Sequence, residues 1–282
     1  MSTIESLLRE ATGKLHGHSD SPRLDVELLL AHVLNADRTT LHTWPERQPS
    51  PEAEAAFLKL VERRLAGEPV AYLIARRGFW NFDLEVSPDV LIPRPETELL
   101  VEQALARIPA DADWPIADLG TGSGAIALAL ARERPRCTIH AVDRSAAALA
   151  VARRNAERLD LHNLHFHQGD WLDALPAGIA WRMIVSNPPY VPEDAPHLAA
   201  RGVRFEPREA LAAGADGLDD IRRIVPAARE VLAPGGWLLL EHGWDQGEAV
   251  PRLLEAAGFR EVADYRDLAG HPRVAAGRKP YK

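Results

Sequence analysis

Apolar positions recur at helical spacing through the first seventy residues. Ile4, Leu7, Leu8, Ala11 and Leu15 fall on one face of a helix, with Ser2-x-x-Glu5 as its capping box. The stretch "SPRLDVELLLAHVL" (21–34) opens with Ser21 at an N-cap and Pro22 at the first helical position. "SPEAEAAFLKLVERRLAGEP" (50–69) repeats that grammar, with Ser50 and Pro51 at its start and Gly67 and Pro69 at its stop. Three or so short amphipathic helices bury a small core, which predicts a helical domain over residues 1–75.

The texture then changes. "GFWNFDLEVS" (78–87) alternates and is aromatic, predicting a β-hairpin inside a linker over 76–95. "LIPRPETE" (91–98) leads into a helix carrying Leu100, Val101, Ala104 and Leu105. Beyond it, apolar strands at 116–119, 138–142, 164–167, 183–186 and 237–240 are separated mostly by helical patterns. "EVADYRD" (261–267) and "RVAAGRK" (273–279) read as two closing strands joined through Gly270. Such alternation predicts an α/β domain over 96–282 around a mostly parallel, seven-stranded sheet covered on both faces.

Composition narrows the class. Of 282 residues, 46% are hydrophobic and 26% charged, which excludes disordered and fibrous chains. The formal charge of -8, from 33 basic and 41 acidic residues, argues against a large duplex nucleic-acid footprint. A single cysteine, Cys137, excludes an internal disulfide framework and fits a reducing compartment. No signal peptide and no apolar run of about 20 residues is visible, so a cytoplasmic protein without a membrane partner is expected.

Two stretches carry candidate chemistry. "ADLGTGSGAIALALA" (117–131) sets Gly120, Thr121, Gly122, Ser123 and Gly124 between a strand and a helix, where backbone N–H groups approach a ligand closely. The next strand ends at Asp143, placed to accept two ribose hydroxyls. Gly120-x-Gly122-x-x-Ala125 also satisfies the loose dinucleotide fingerprint. Against pyrophosphate stand the carboxylate of Asp118 just before the turn and the absence of an arginine within it. S-adenosylmethionine, cationic and without phosphate, suits the turn better. In "QGDWLDAL" (168–175), Asp170 is expected to accept from an adenine amino group and Trp171 to lie against the ring.

The second stretch is "IVSNPPYVP" (184–192), where a core strand ends in Asn187, Pro188, Pro189 and Tyr190. Pro188 has no N–H and biases Asn187 to an extended backbone. The Asn187 side-chain oxygen and a prolyl carbonyl then face one spot as paired acceptors for a planar –NH2 group, with Tyr190 able to stack on its plane. Two acceptors aim the nitrogen lone pair at a methyl donor.

With these motifs together the chain resembles the release-factor glutamine methyltransferase family along nearly its whole length. "GEPVAYL" (67–73), "LIPRPETE", "DLGTGSG", "SNPPYVP", "RFEP" (204–207) and "LLLEHGWDQGEAV" (238–250) carry the resemblance. It implies a Rossmann-like class I methyltransferase fold with a small N-terminal helical substrate-recognition domain. It implies S-adenosylmethionine as cofactor, S-adenosylhomocysteine as product, and class-1 peptide chain release factors as protein substrate, methylated on the glutamine of a Gly-Gly-Gln motif. By the same resemblance Gly120 to Gly124 and Asp143 bind cofactor, and Trp171 lies by the adenine. Asn187 touches both cofactor and substrate, and Pro188, Pro189 and Tyr190 complete the glutamine pocket. Where the family usually has a glycine and then a glutamate in the hairpin region, this chain has Ala75 and Gly78. A sister family, acting on a glutamine of a large-subunit ribosomal protein, usually reads Pro-Arg-Ser-Pro where this chain has Pro93-Arg94-Pro95-Glu96. A nucleic-acid adenine methyltransferase is the other alternative, disfavoured by the acidic balance. His162, His165 and His167 lack partners at ligand spacing, so no metal is expected. Glu206 and Glu241 stay unassigned, and Arg94 is open between a carboxylate partner and the substrate.

Overall fold

A computed structural model describes residues 2–281, which cluster into two compact units. One comprises the chain up to Arg76 together with Ala199–Phe205. It is built from α1 (Ile4–Leu15), α2 (Pro22–Val33), α3 (Arg38–Thr43), α4 (Pro51–Leu65) and α5 (Val70–Leu73). Leu8, Leu15, Leu29, Leu30 and Phe57 fill its core. Ser50 caps α4, accepting from the Ala53 N–H at 3.2 Å. The cap of α1 is Thr3 rather than Ser2: Thr3 Oγ1 accepts from the Ser6 N–H, and Ser2 Oγ donates to Glu54 at 2.7 Å. The shift follows from the free N–H groups at the helix start. Those of Ile4 and Glu5 donate to the carbonyls of Arg47 and Pro45 at 2.9 Å, and that of Ser6 is left for Thr3 Oγ1. Ala75 lies at φ +54°, a conformation glycine takes without strain.

The second unit begins at Arg77, within the hairpin of β1 (Arg76–Phe79) and β2 (Phe82–Glu85), and continues through α6 (Thr97–Leu105). Next come β3 (Pro115–Leu119), α7 (Ala125–Glu133), β4 (Thr138–Asp143), α8 (Ala146–Arg158), β5 (Leu164–Gln168) and β6 (Trp181–Ser186). After an irregular stretch the chain forms α9 (Asp219–Val231), β7 (Leu232–Glu241), α10 (Ala249–Ala256), β8 (Arg260–Arg266) and β9 (Pro272–Arg278). The sheet order is β5-β4-β3-β6-β7-β9-β8, parallel except for the pairings of β9. One apolar layer, with Leu100, Leu128 and Ile139, covers one face; Ile184, Ile221 and Leu240 belong to the other. Parallel strands buried on both faces explain the near-continuous apolar runs.

The strands predicted from the sequence all form, and β7 starts five residues earlier than its apolar run. The added segment contains Pro234, Gly235 and Gly236, and the β6 pairing jumps from Trp181↔Leu232 to Met183↔Trp237. A proline without a donor and two glycines produce a bulge that an apolar pattern does not announce. The fold reverses direction at β3, flanked by β4 and β6. The loops after β3 and β6 therefore diverge at a switch point, where open α/β sheets form their ligand crevice.

Candidate active site

The turn after β3 is shaped by its backbone. The N–H groups of Gly120 and Thr121 both donate to the Val142 carbonyl at 2.9 Å, tying the turn to β4. Gly120 has φ +72°, and a Cβ there would stand 3.2 Å from Cζ3 of Trp171, so the indole packs against bare backbone. Gly124 starts α7 and faces Leu128 and Ala152. Asn155 on α8, fully buried, donates to the Ser123 carbonyl at 2.9 Å and exchanges two hydrogen bonds with Glu85, which ties hairpin to turn. Asp143 closes the arrangement. Its Oδ2 accepts from the Gly122 N–H and its Oδ1 from the Ser145 N–H, each at 2.9 Å. Burial pushes its carboxyl above the usual range, against those two bonds. Each oxygen keeps a lone pair for a further donor.

Beneath the turn lies Asp118, fully buried and not among the residues lining the cleft. Thr121 Oγ1 donates to its Oδ2 at 2.7 Å and the Ala127 N–H at 3.2 Å; Oδ1 has no partner. Burial first, and then the Asp143 charge, push its carboxyl up to about 7. The sequence expectation that this group presents charge to the ligand is therefore corrected. A strand buried on both faces turns the side chain of Asp118 under the turn, where it braces the backbone.

Trp171 has φ +46°, a strained conformation for a large side chain. Its Nε1 donates to Asp220 Oδ1 at 3.3 Å, and Asp220 on α9 lines the cleft. Asp170 also lines it, but its carboxylate is paired with Arg223, half exposed. The second Asp170 oxygen remains for another donor.

Across the switch point, β6 ends beside β3. Leu119 and Ser186 are register partners, and Ser186 Oγ donates to the Leu119 carbonyl at 2.7 Å. Gly120 and Asn187 thus leave the sheet side by side. Asn187 Nδ2 donates to Thr97 Oγ1 at 3.2 Å, and among the described residues its Oδ1 has no partner. The Tyr190 hydroxyl donates to Glu241 Oε1 at 3.2 Å, and the Tyr190 carbonyl accepts from Gln246 at 3.0 Å. Burial and the neighbouring Glu241 charge push the Tyr190 phenol well above its ordinary value, so it stays protonated. Glu241 is 1% exposed, and burial pushes its carboxyl up to about 7.

These elements enclose a cleft of about 970 Å³, solvent at its mouth included. Gly120, Thr121, Gly122, Ser123, Asp143, Asp170, Trp171, Asn187 and Pro189 line it. Gly124, Pro188 and Tyr190 do not: Gly124 packs on α8, Pro188 is buried, and Tyr190 turns its hydroxyl to Glu241. Sequence reasoning missed Val90, Leu91, Thr97, Pro207 and Asp220 as wall residues, although the "LIPRPETE" run signalled that the segment matters. Arg94 also lines the cleft, with its Nη2 donating to buried Glu206 at 2.6 Å; the other Glu206 oxygen accepts from the Ile92 N–H. Arg94 thus pairs with a carboxylate and lines the cleft at once, so the two readings do not exclude each other. His165 and His167 stand beside His140, whose Nδ1 lies 2.9 Å from His167 Nε2. Among the described residues no group of three His, Cys, Asp or Glu is placed to hold a metal ion. No helix among them is long and apolar enough to cross a membrane.

Comparison with known proteins fits this geometry. The family model described as the PrmC N-terminal domain matches residues 6–74, and the methyltransferase small domain matches residues 95–205. The release factor glutamine methyltransferase of Pseudomonas aeruginosa is 53% identical, covering 99% of both chains. That of Coxiella burnetii is 48% identical over 99% of this chain and 100% of its own. That of Escherichia coli K12 is 51% identical over 96% and 97%. Among solved structures, a Thermus thermophilus 16S rRNA N2 G1207 methyltransferase in complex with AdoMet and guanosine aligns with TM-score 0.54 and 20% identity. The alignment covers 72% of this chain and 49% of that one. A Pyrococcus furiosus methyltransferase aligns with TM-score 0.52 and 19% identity over 78% and 97%. Those two likenesses establish the class I methyltransferase fold. Full-length identity near one half, with both family domains in order, places this chain in the release factor glutamine methyltransferase family, as an S-adenosylmethionine-dependent methyltransferase.

Proposed function

We propose that the protein transfers a methyl group from S-adenosylmethionine to the side-chain N5 of the glutamine in the Gly-Gly-Gln motif of class-1 peptide chain release factors, in the cytoplasm. The observation that carries this reading is the adjacency of Gly120 and Asn187 at the β3–β6 switch point, with the Asn187 Oδ1 unpartnered. S-adenosylmethionine fits the cleft: Asp143 offers two carboxylate oxygens to ribose hydroxyls, and Trp171 offers an aromatic face. Asp170 offers one unpaired oxygen to an adenine amino group. Gly120 and Gly122 leave bare backbone in the wall of the site. When bound, the cofactor supplies a methyl group on a sulfonium.

The other residues handle the amide. We assign its two N–H bonds to Asn187 Oδ1 and the Pro188 carbonyl and its wall to Pro189; Tyr190, outside the cleft lining with its hydroxyl on Glu241, is assigned the face of the amide. Two acceptors distinguish a primary amide from a carboxylate, which has no N–H, and from an ammonium, which is not planar. They also return electron density to a nitrogen whose lone pair is delocalised, and aim that lone pair at the methyl carbon.

The helical residues 1–75 hold no catalytic constellation, and we assign them recognition of the protein substrate, with 76–95 as linker and 96–282 as the catalytic domain. A fragment starting near residue 76 is expected to keep cofactor affinity and to methylate intact release factor poorly. Mass spectrometry of an unmethylated release factor after incubation with labelled S-adenosylmethionine tests the whole reading. One added methyl on the Gly-Gly-Gln glutamine is expected, and none when that glutamine is changed to glutamate. Label appearing instead on a large-subunit ribosomal protein, or on RNA or DNA, would reassign the substrate.

A further inference from the structure

We propose that Glu241 is a positioning residue that acts through Thr97 to fix which end of the Asn187 amide faces the substrate. The inference rests on the reading of Asn187 given above. Asn187 Nδ2 and Oδ1 are nearly equal in size, so nothing steric chooses between the two orientations of the amide. The choice lies with the Thr97 hydroxyl, which receives Nδ2 at 3.2 Å and has a single hydrogen to give. Thr97 is 4% exposed, so water does not arbitrate. Hydrogen bonding from Thr97 is the first of the influences that hold the Glu241 carboxyl down against burial, and among the described residues the Glu241 Oε2 is buried with no other partner. Its Oε1 already accepts from Tyr190 at 3.2 Å.

An ionised carboxylate only accepts. It therefore draws the Thr97 hydrogen toward itself and leaves the Thr97 oxygen as an acceptor for Asn187. Turning the amide over would then set Oδ1 against an oxygen lone pair. The Nδ2 end stays on Thr97 and the Oδ1 end stays toward the cleft, where the substrate N–H must be accepted. One glutamate at the end of β7 thus orients both Asn187 and Tyr190, the two polar members of the Asn-Pro-Pro-Tyr stretch. A protonated Glu241, or a glutamine in its place, can donate to Thr97. That frees the Thr97 hydrogen for Oδ1 and lets the amide turn over.

The titratable and charged groups around Glu241 are the neutral phenol of Tyr190 after β6, Arg273 on β9, which favours its ionised form, and Glu96 before α6, which opposes it. With the carboxyl pushed up to about 7 by burial, the switch falls within a measurable range.

Four measurements test the assignment. Glu241→Gln is expected to lower kcat on an unmethylated class-1 release factor by about 10–100-fold while leaving the S-adenosylmethionine Kd within about twofold. Thr97→Val should lose as much, Thr97→Ser should recover most of it, and the double variant Glu241→Gln/Thr97→Val should be no worse than either single one. Wild-type kcat should fall as pH drops through about 7, and Glu241→Gln should flatten that limb. Independently of any substrate, the side-chain amide resonances of Asn187 in protein labelled with 15N-asparagine should titrate near the same pH in the wild type and not in Glu241→Gln. An Asn187 amide that ignores pH in the wild type, or full kcat in both Glu241→Gln and Thr97→Val, overturns the inference. If the wild type fails to methylate the release-factor glutamine, the proposed function falls, and the amide titration still decides the role of Glu241.

Discussion

Each half of the cleft stands on a buried carboxyl, and the two are braced differently. Asp118 lies under the glycine turn and Glu241 behind the Asn-Pro-Pro-Tyr stretch. Both are raised to about 7 by burial, and each keeps one buried oxygen without a partner. Asp118 is held by Thr121 and Ala127, three and nine residues along the chain, one of them through a backbone N–H. Glu241 is held by Tyr190, 51 residues back, and faces Thr97 on a different helix. The turn of the half read as the cofactor site thus rests mainly on bonds to its backbone N–H and C=O groups, even where Asp143 and Asn155 reach it from other elements. The half read as the substrate site is fixed by side chains brought from distant elements. Backbone tolerates exchange of individual side chains; a relay of hydroxyls and amides does not.

The sharpest way to break this contrast is Asn187→Ala. It removes the acceptor that the proposed function sets on the substrate amide, and kcat should fall by roughly 10²–10³. S-adenosylmethionine affinity, measured by calorimetry, should change little, because the turn, Asp143 and Trp171 remain. An equal loss in binding and turnover would show that the two halves are not separable.

The buried carboxyls give the next effect, in stability. A carboxyl whose pKa is raised in the folded state binds protons more tightly there than in the unfolded chain. Its contribution is fully present below the unfolded value, 4.5 for Glu241 and 3.8 for Asp118, and is lost as pH rises through about 7. Between those limits Glu241 should remove roughly 3 kcal/mol of stability and Asp118, with the larger shift, roughly 3–4 kcal/mol. Thermal melts from pH 4 to 8 should show Tm falling across that window, with a shallower fall in Asp118→Asn and in Glu241→Gln. The ionised Glu241 that our inference requires for turnover is thus the form that weakens the fold. Tm curves of the same slope in all three proteins would mean that neither carboxyl is neutral when folded.

Asp143→Ala should cost about 1–3 kcal/mol of S-adenosylmethionine binding, the range for hydrogen bonds to a charged acceptor. It also removes the acceptor for the Gly122 N–H and one of the charges that raise Asp118. The variant should therefore show a lower midpoint for the pH-dependent stability step as well as weaker binding. Intact affinity in a folded variant would put the ribose elsewhere.

The same contrast decides what was legible in the sequence. Strand positions could be read because parallel strands are apolar throughout, and the glycine turn with Asp143 could be read because both sit at strand ends in short motifs. Asp118 was misread because its distance along the chain from the turn says nothing about the side on which it lies. The Thr97–Asn187 contact spans 90 residues, and the Arg94–Glu206 pair spans 112. No periodicity encodes such pairings; "LIPRPETE" flagged the segment without naming what it touches. Trp171 is expected against a ligand, but its tie to Asp220 joins the 3-10 turn Trp171–Ala174 after β5 to α9, again from distant sequence.

The smallest effect separates two glycines in one turn, read as stability of the ligand-free protein by urea unfolding. Both have positive φ, +72° at Gly120 and +54° at Gly122, so an alanine at either position costs roughly 1–2 kcal/mol of backbone strain. Their surroundings differ. A Cβ at Gly122 meets nothing within 4 Å, whereas at Gly120 it would sit 3.2 Å from Cζ3 of Trp171. That indole is itself held to Asp220 and stands on a strained backbone, so it has little room to withdraw. Gly120→Ala should accordingly lose more stability than Gly122→Ala, by about 1 kcal/mol, the low end of the cost of overpacking. If the turn is rigid backbone as argued, the extra loss should shrink in a Trp171→Ala background. Equal losses for the two glycines in the parent protein would mean that the indole moves freely, and that the cofactor half depends on its side chains as much as the substrate half does.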